Sequence, residues 1–117
     1  MKQTIELVSA TAVTVLNDIG WKFDAGTAPT VWYTSIEDQY ELYKNFEGFE
    51  EKKDKIFAFW TVSFDFPLDD NWKGRNAIFV LIKDEDGVPY EVSNKQYTGK
   101  IIKTDEGMYQ NVDMPRK

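Results

Sequence analysis

The chain contains no histidine and no cysteine. Without histidine it lacks the side chain that most often serves as a general base near neutral pH. Without cysteine it has no thiolate nucleophile, no disulfide and no sulfur ligand for zinc or iron. The missing cysteines also leave no trace of a redox compartment, and no Asn-x-Ser/Thr sequence points to secretion. Long apolar runs are absent too: none approaches the roughly 20 residues a membrane helix needs, and Glu6 interrupts the only N-terminal stretch resembling a signal peptide. No membrane association is expected, and a cytoplasmic location is the default.

Basic charge is scarce. Fourteen Lys and Arg stand against 20 Asp and Glu, giving a net charge of −6 and a pI of about 4.6. That balance opposes the attraction by which phosphate-binding proteins gain affinity, so a nucleic-acid partner is disfavoured despite the local clusters Lys52, Lys53, Lys55 and Lys73, Arg75. Electrostatic steering instead favours a basic partner, and the plainer use of such a charge is solubility. No glycine-rich phosphate loop and no recognisable Ser or Lys nucleophile motif occurs. With the common catalytic groups missing, the chain is expected not to be an enzyme and to hold no cofactor or metal.

What is present suits a single globular domain over residues 1–117: 42% hydrophobic, 29% charged and 15% aromatic. Over residues 4–19, Ile5, Val8, Ala12, Val15, Leu16 and Ile19 form one helical stripe, and Gly20 stands where a helix C-terminal glycine would. Period favours a helix there, although Thr4, Thr11, Val13, Thr14 and Val15 suit a strand as well. Trp21–Phe23 and Val31–Thr34 read as short extended pieces around a turn holding Gly26 and Pro29. A second helix is expected over about 36–46, with Thr34 and Glu37 at capping-box spacing and Ile36, Tyr40, Tyr43 and Phe46 facing a sheet.

From Ile56 the period changes to two. Ile56, Ala58, Trp60, Val62, Phe64 and Phe66 form one wholly apolar strand face, and Asn76–Lys83 is apolar on both faces. Leu81–Gly87 and Ile101–Gly107 share an apolar pair, a Lys, an acidic turn and a Gly, each followed by a Tyr, so both read as hairpins. Further strands follow near 88–93, 98–103 and 108–112, the last an edge. The expected fold is α+β: an antiparallel meander of about five strands over 56–112, with the 36–46 helix packed on it and the N-terminal segment completing the layer.

Acidic clusters are the remaining reactive-looking groups. Asp65, Asp69, Asp70 and Asn71 offer hard oxygen ligands for calcium, yet a turn around Pro67 explains the same residues. Asp84, Glu85, Asp86 and Gly87 fail the EF-hand pattern, whose first and last ligand positions would fall on Ile82 and Ser93. Asp65, between Phe64 and Phe66, is the best candidate for a carboxylate in a pocket.

Binding is better supported. Trp72 lies in a polar connection with Asp69, Asp70, Lys73 and Arg75, the composition of an interface anchor with a charged rim. Trp21, Trp32 and Tyr33 are further candidates. The leading reading is a non-enzymatic protein-binding or assembly domain: an inhibitor, an immunity-type protein, or an accessory or structural subunit such as phages and mobile elements carry. A carbohydrate-binding module would need two coplanar exposed rings. A single-strand nucleic-acid binder would use sheet aromatics with Lys73, Arg75, Lys100 and Lys103.

Overall fold

Thr4 starts the first helix by accepting the Leu7 N–H on its hydroxyl at 3.2 Å. Gly20 ends it at φ 79°, a left-handed conformation in which its own N–H reaches back to the helix carbonyls. Between them α1, Ile5–Ile19, buries Val8, Ala12, Val15 and Leu16. The stripe found by period is therefore the packed one, except that Ile5 at its beginning is exposed. The β-branched residues do not make it a strand, because the stripe has a sheet to lie on and Thr14 satisfies its hydroxyl on the Ala10 carbonyl at 3.1 Å.

The computed structural model describes residues 2–23, 26, 28–48, 56–65, 77–94 and 98–112. Its sheet has six antiparallel strands in sequence order: β1 Thr30–Thr34, β2 Phe59–Asp65, β3 Ala77–Lys83, β4 Pro89–Ser93, β5 Thr98–Lys103 and β6 Tyr109–Asn111. The expected meander and α+β class are present. The extended piece before the second helix adds a strand, β1, which pairs with β2 from Thr30 opposite Ser63 to Thr34 opposite Phe59.

One face of the sheet carries Trp60, Val62, Phe64, Ile78, Val80, Ile82, Val92 and Ile101, all buried with the α1 stripe in one core. Burying each such side chain contributes roughly 1.5–3 kcal/mol, which is why α1 holds its place. The alternation along β2 and β3 is as the period of two requires, with one difference. Thr61 lies on the opposite face yet is only 6% exposed, set between Trp32 on β1 and Leu81 on β3.

The second helix, α2, spans Ile36–Tyr43 and is capped by Ser35, whose hydroxyl accepts the Asp38 N–H at 3.0 Å. The cap thus sits one residue later than the Thr34–Glu37 spacing suggested. The helix that packs on the sheet is α1; α2 has no buried side chain. It is held at its base by Gln39, whose Nε2 donates to the Ser35 carbonyl at 3.1 Å and to the Phe57 carbonyl at 2.8 Å.

Gly87 and Gly107 adopt positive φ, 71° and 86°, in the two similar hairpins. The loops differ by a residue: the Lys83 N–H bonds to the Val88 carbonyl, and the Thr104 N–H to that of Met108. Among the described residues no helix is long and apolar enough to cross a membrane.

Candidate functional site

Asp84 follows β3 and opens the β3–β4 turn, yet it is only 6% exposed. Its carboxylate accepts four hydrogen bonds. Trp60 Nε1 donates to Oδ1 at 2.9 Å; the Lys2 N–H reaches both oxygens at 2.9 and 3.0 Å; the Gln3 N–H reaches Oδ1 at 3.1 Å. The Gln3 side chain closes the arrangement by donating to the Asp84 carbonyl at 3.3 Å. Burial pushes this carboxyl's pKa up, but the bonds from Trp60, Gln3 and Lys2 outweigh it and leave the value lowered. Asp84 is ionised and fully engaged, so its first task is to pin the N-terminal segment to the turn.

Beside it opens a cleft of about 380 Å³, lined by Tyr33, Ile36, Glu37, Phe57, Asp84 and Glu85 among others. Ser35 and Gln39 fix α2 at one wall, and Asp84 fixes the other. Burial pushes the Tyr33 hydroxyl up, and the carboxylates of Asp84, Glu37 and Asp38 push it further. The cleft thus sets the acids Glu37, Asp84 and Glu85 beside Lys2 and the rings of Tyr33 and Phe57. Lys83 places its ammonium 5.0 Å from the centre of the Phe57 ring, an intramolecular example of the contact such rings favour.

Next to the cleft, Ile36, Tyr40 and Tyr43 run along α2 at spacings of four and three, on one side of the helix, and all three are exposed. Phe46 follows, also exposed, with its ring 5.4 Å from that of Tyr43. Glu37, Asp38 and Glu41 occupy the other sides of α2. The result is an apolar stripe with an acidic border.

The face of the sheet away from α1 carries a second set of rings. Trp32 meets Phe79 edge-on at 6.2 Å, and Tyr90 packs edge-on against Phe57 and Phe59 at 5.1 and 6.4 Å. The ring pairs Phe23–Phe64, Trp32–Phe79, Tyr33–Trp60, Tyr43–Phe46, Phe57–Phe59, Phe57–Tyr90 and Phe59–Tyr90 are inclined by 51 to 86°. None of these pairs offers a common flat platform of the sort a sugar would stack on.

The residues singled out in the sequence fall in different places. Asp69, Asp70, Asn71, Trp72, Lys73 and Arg75 lie outside the described residues. Asp65 ends β2 in an exposed position rather than in a pocket. Trp32 is 43% exposed, whereas Trp21 and Tyr33 pack against the core, Tyr33 with its ring 5.1 Å from that of Trp60. The structure adds the α2 stripe and the Asp84 cleft. The stripe was visible in the sequence but read as sheet-facing. Asp84 was visible only as one acid in an acidic turn, and nothing in the sequence sets it apart from Glu85 or Asp86.

Comparison with family models, with curated proteins and with solved structures finds no match.

Proposed function

We propose that this chain is a non-catalytic protein-binding domain and that α2 with the adjoining acidic cleft is its recognition face. The observation that carries the reading is the exposure of Ile36, Tyr40 and Tyr43 on a helix that buries none of its own side chains. An amphipathic helix is normally kept in place by its apolar side. Here that side faces outward, bordered by Glu37, Asp38 and Glu41 and by Glu85 at the cleft. Aromatic and aliphatic anchors inside a charged rim are the anatomy of a transient interface. The partner that fits is a protein with an apolar spot ringed by Lys and Arg, in keeping with the net charge of −6. The absence of histidine and cysteine supports a role without catalysis. The segment with Asp69, Asp70, Trp72, Lys73 and Arg75 is proposed as a second contact, from its composition alone.

The test is capture from native-source lysate at moderate salt with three proteins: wild type, Ile36→Ser/Tyr43→Ser and Trp72→Ala. A protein retained in stoichiometric amount by the wild type and lost with the α2 variant supports the reading. Equal retention by the α2 variant, or no retained protein, overturns it. Loss with Trp72→Ala alone would move the interface to the second segment.

A further inference from the structure

The two edges of the sheet are finished differently. β6 is only three residues long, and the Tyr109 N–H is bonded to the Asp18 carboxylate of α1 at 3.1 Å. Lys103 adds a charge there, its ammonium 5.5 Å from the centre of the Tyr109 ring. Short length, a covering helix and a nearby lysine are the devices that keep a strand edge from pairing with another chain.

β1 has none of them. Its sequence, Thr-Val-Trp-Tyr-Thr, holds no charge, no proline and no glycine, and its register with β2 is unbroken over all five residues. Among the described residues its main chain bonds only to β2. Thr30 and Trp32 are exposed. Threonine, valine, tryptophan and tyrosine are strong strand formers, so this edge is in shape to accept another strand.

The order of the residues says which strand. Laid antiparallel against a second copy and centred on Trp32, β1 places Thr30 opposite Thr34, Val31 opposite Tyr33, and Trp32 opposite its own equivalent. Every pair is of a favourable class: Thr with Thr, β-branched with aromatic, aromatic with aromatic. The faces agree as well. Val31 and Tyr33 pack toward the core, so their pairs extend the buried face, while the Trp32 pair flanked by threonines extends the other. A foreign strand would require no such symmetry.

We propose that the protein forms a symmetric homodimer in which the β1 edges of two copies pair antiparallel about Trp32, joining two six-stranded sheets into one. The net charge of −6 on each copy does not oppose this locally, because the seam itself is uncharged. The inference is independent of the α2 face, which lies on a different element.

The test uses the register. Thr30 and Thr34 lie opposite Ser63 and Phe59 on β2, on the face away from the core. In the proposed dimer Thr30 of each copy faces Thr34 of the other. Thr30→Lys/Thr34→Lys sets lysine against lysine twice, whereas Thr30→Lys/Thr34→Glu sets lysine against glutamate twice. Sedimentation velocity across a wide concentration range should show a wild-type dimer, a Lys/Lys variant weakened roughly tenfold or more, and a Lys/Glu variant restored toward wild type. A monomeric wild type overturns the proposal, as does a Lys/Glu variant weakened as much as Lys/Lys, or a Lys/Lys variant that is unaffected. Should a double variant fail to fold, single cysteines decide, since the chain has no other. Thr30→Cys mixed with Thr34→Cys should oxidise preferentially to the mixed disulfide dimer. Equal yields from each variant alone would overturn the register.

Discussion

Trp60 donates its indole N–H to the carboxylate of Asp84 at 2.9 Å across the edge of the core. This bond joins the middle of the helix-covered face to the turn that also holds Lys2 and Gln3, so one carboxylate ties together β2, the β3–β4 hairpin and the chain leading into α1. Asp84→Ala would leave the indole N–H without a partner in a buried place and release the N-terminal segment. A loss of about 2–3 kcal/mol is expected, read as a shift in the urea midpoint. Asp84→Asn keeps an oxygen for Trp60 but sets an amide N–H₂ near the Lys2 N–H, and should lose roughly 1 kcal/mol.

The same carboxylate makes stability depend on pH in a definite direction. Burial raises its pKa, but the hydrogen bonds from Trp60, Gln3 and Lys2 lower it by more, so the folded value lies below the ordinary 3.8. A group depressed on folding stabilises the folded state fully above its unfolded pKa, and that contribution is lost as pH falls through the folded one. The difference in unfolding free energy between wild type and Asp84→Asn should therefore be constant from neutral pH to about pH 5 and close as pH falls below 3.8. Urea titrations at a series of pH values check this. A difference that widens on acidification would contradict the assignment.

The two helix caps look alike but should not weigh alike. Thr4 and Ser35 each accept one N–H of the first turn, at 3.2 and 3.0 Å. Thr4 begins a helix with four buried side chains, whereas α2 has none. Thr4→Ala should lower global stability by about 1 kcal/mol. Ser35→Ala should change global stability by less than about 0.5 kcal/mol while speeding amide exchange within α2, because that helix can open without exposing the core. Denaturant unfolding and hydrogen exchange on the same samples separate the two effects.

Periodicity carried most of the fold. The period of two in β2 and β3 placed Trp60, Val62 and Phe64 on one buried face, and the stripe from Val8 to Leu16 located α1 despite its strand-forming residues. Partnership between elements was not legible. Ile36, Tyr40 and Tyr43 have the spacing of a packed helix, and spacing is blind to whether another surface arrives to cover them. A cap is equally blind to a neighbour one position away: Thr34 and Ser35 are interchangeable in chemistry, and the end of β1 at Thr34 decides between them. The Asp84 cleft brings residues 2, 33, 37 and 84 together, which only the tertiary fold can do.

Gly99 offers a case where local propensity and packing predict opposite signs. It lies in β5 opposite Val92 with a φ outside the left-handed region, so its backbone would accept alanine. On propensity alone, replacing a strand glycine should stabilise by roughly 0.5–1 kcal/mol. The space beside it, however, belongs to Asn111, which sits diagonally across on β6 in the pair with Ile101. A Cβ at residue 99 would collide with the Asn111 carboxamide. β6 has only three residues to hold it, so displacing that side chain disturbs the whole edge. Gly99→Ala should therefore destabilise by about 1–3 kcal/mol, and adding Asn111→Ala should cost less than the sum of the two single changes, because the obstacle has gone. A double-mutant cycle by urea unfolding decides the sign: stabilisation by Gly99→Ala alone would mean that the carboxamide moves aside freely and that β6 is not held by this contact.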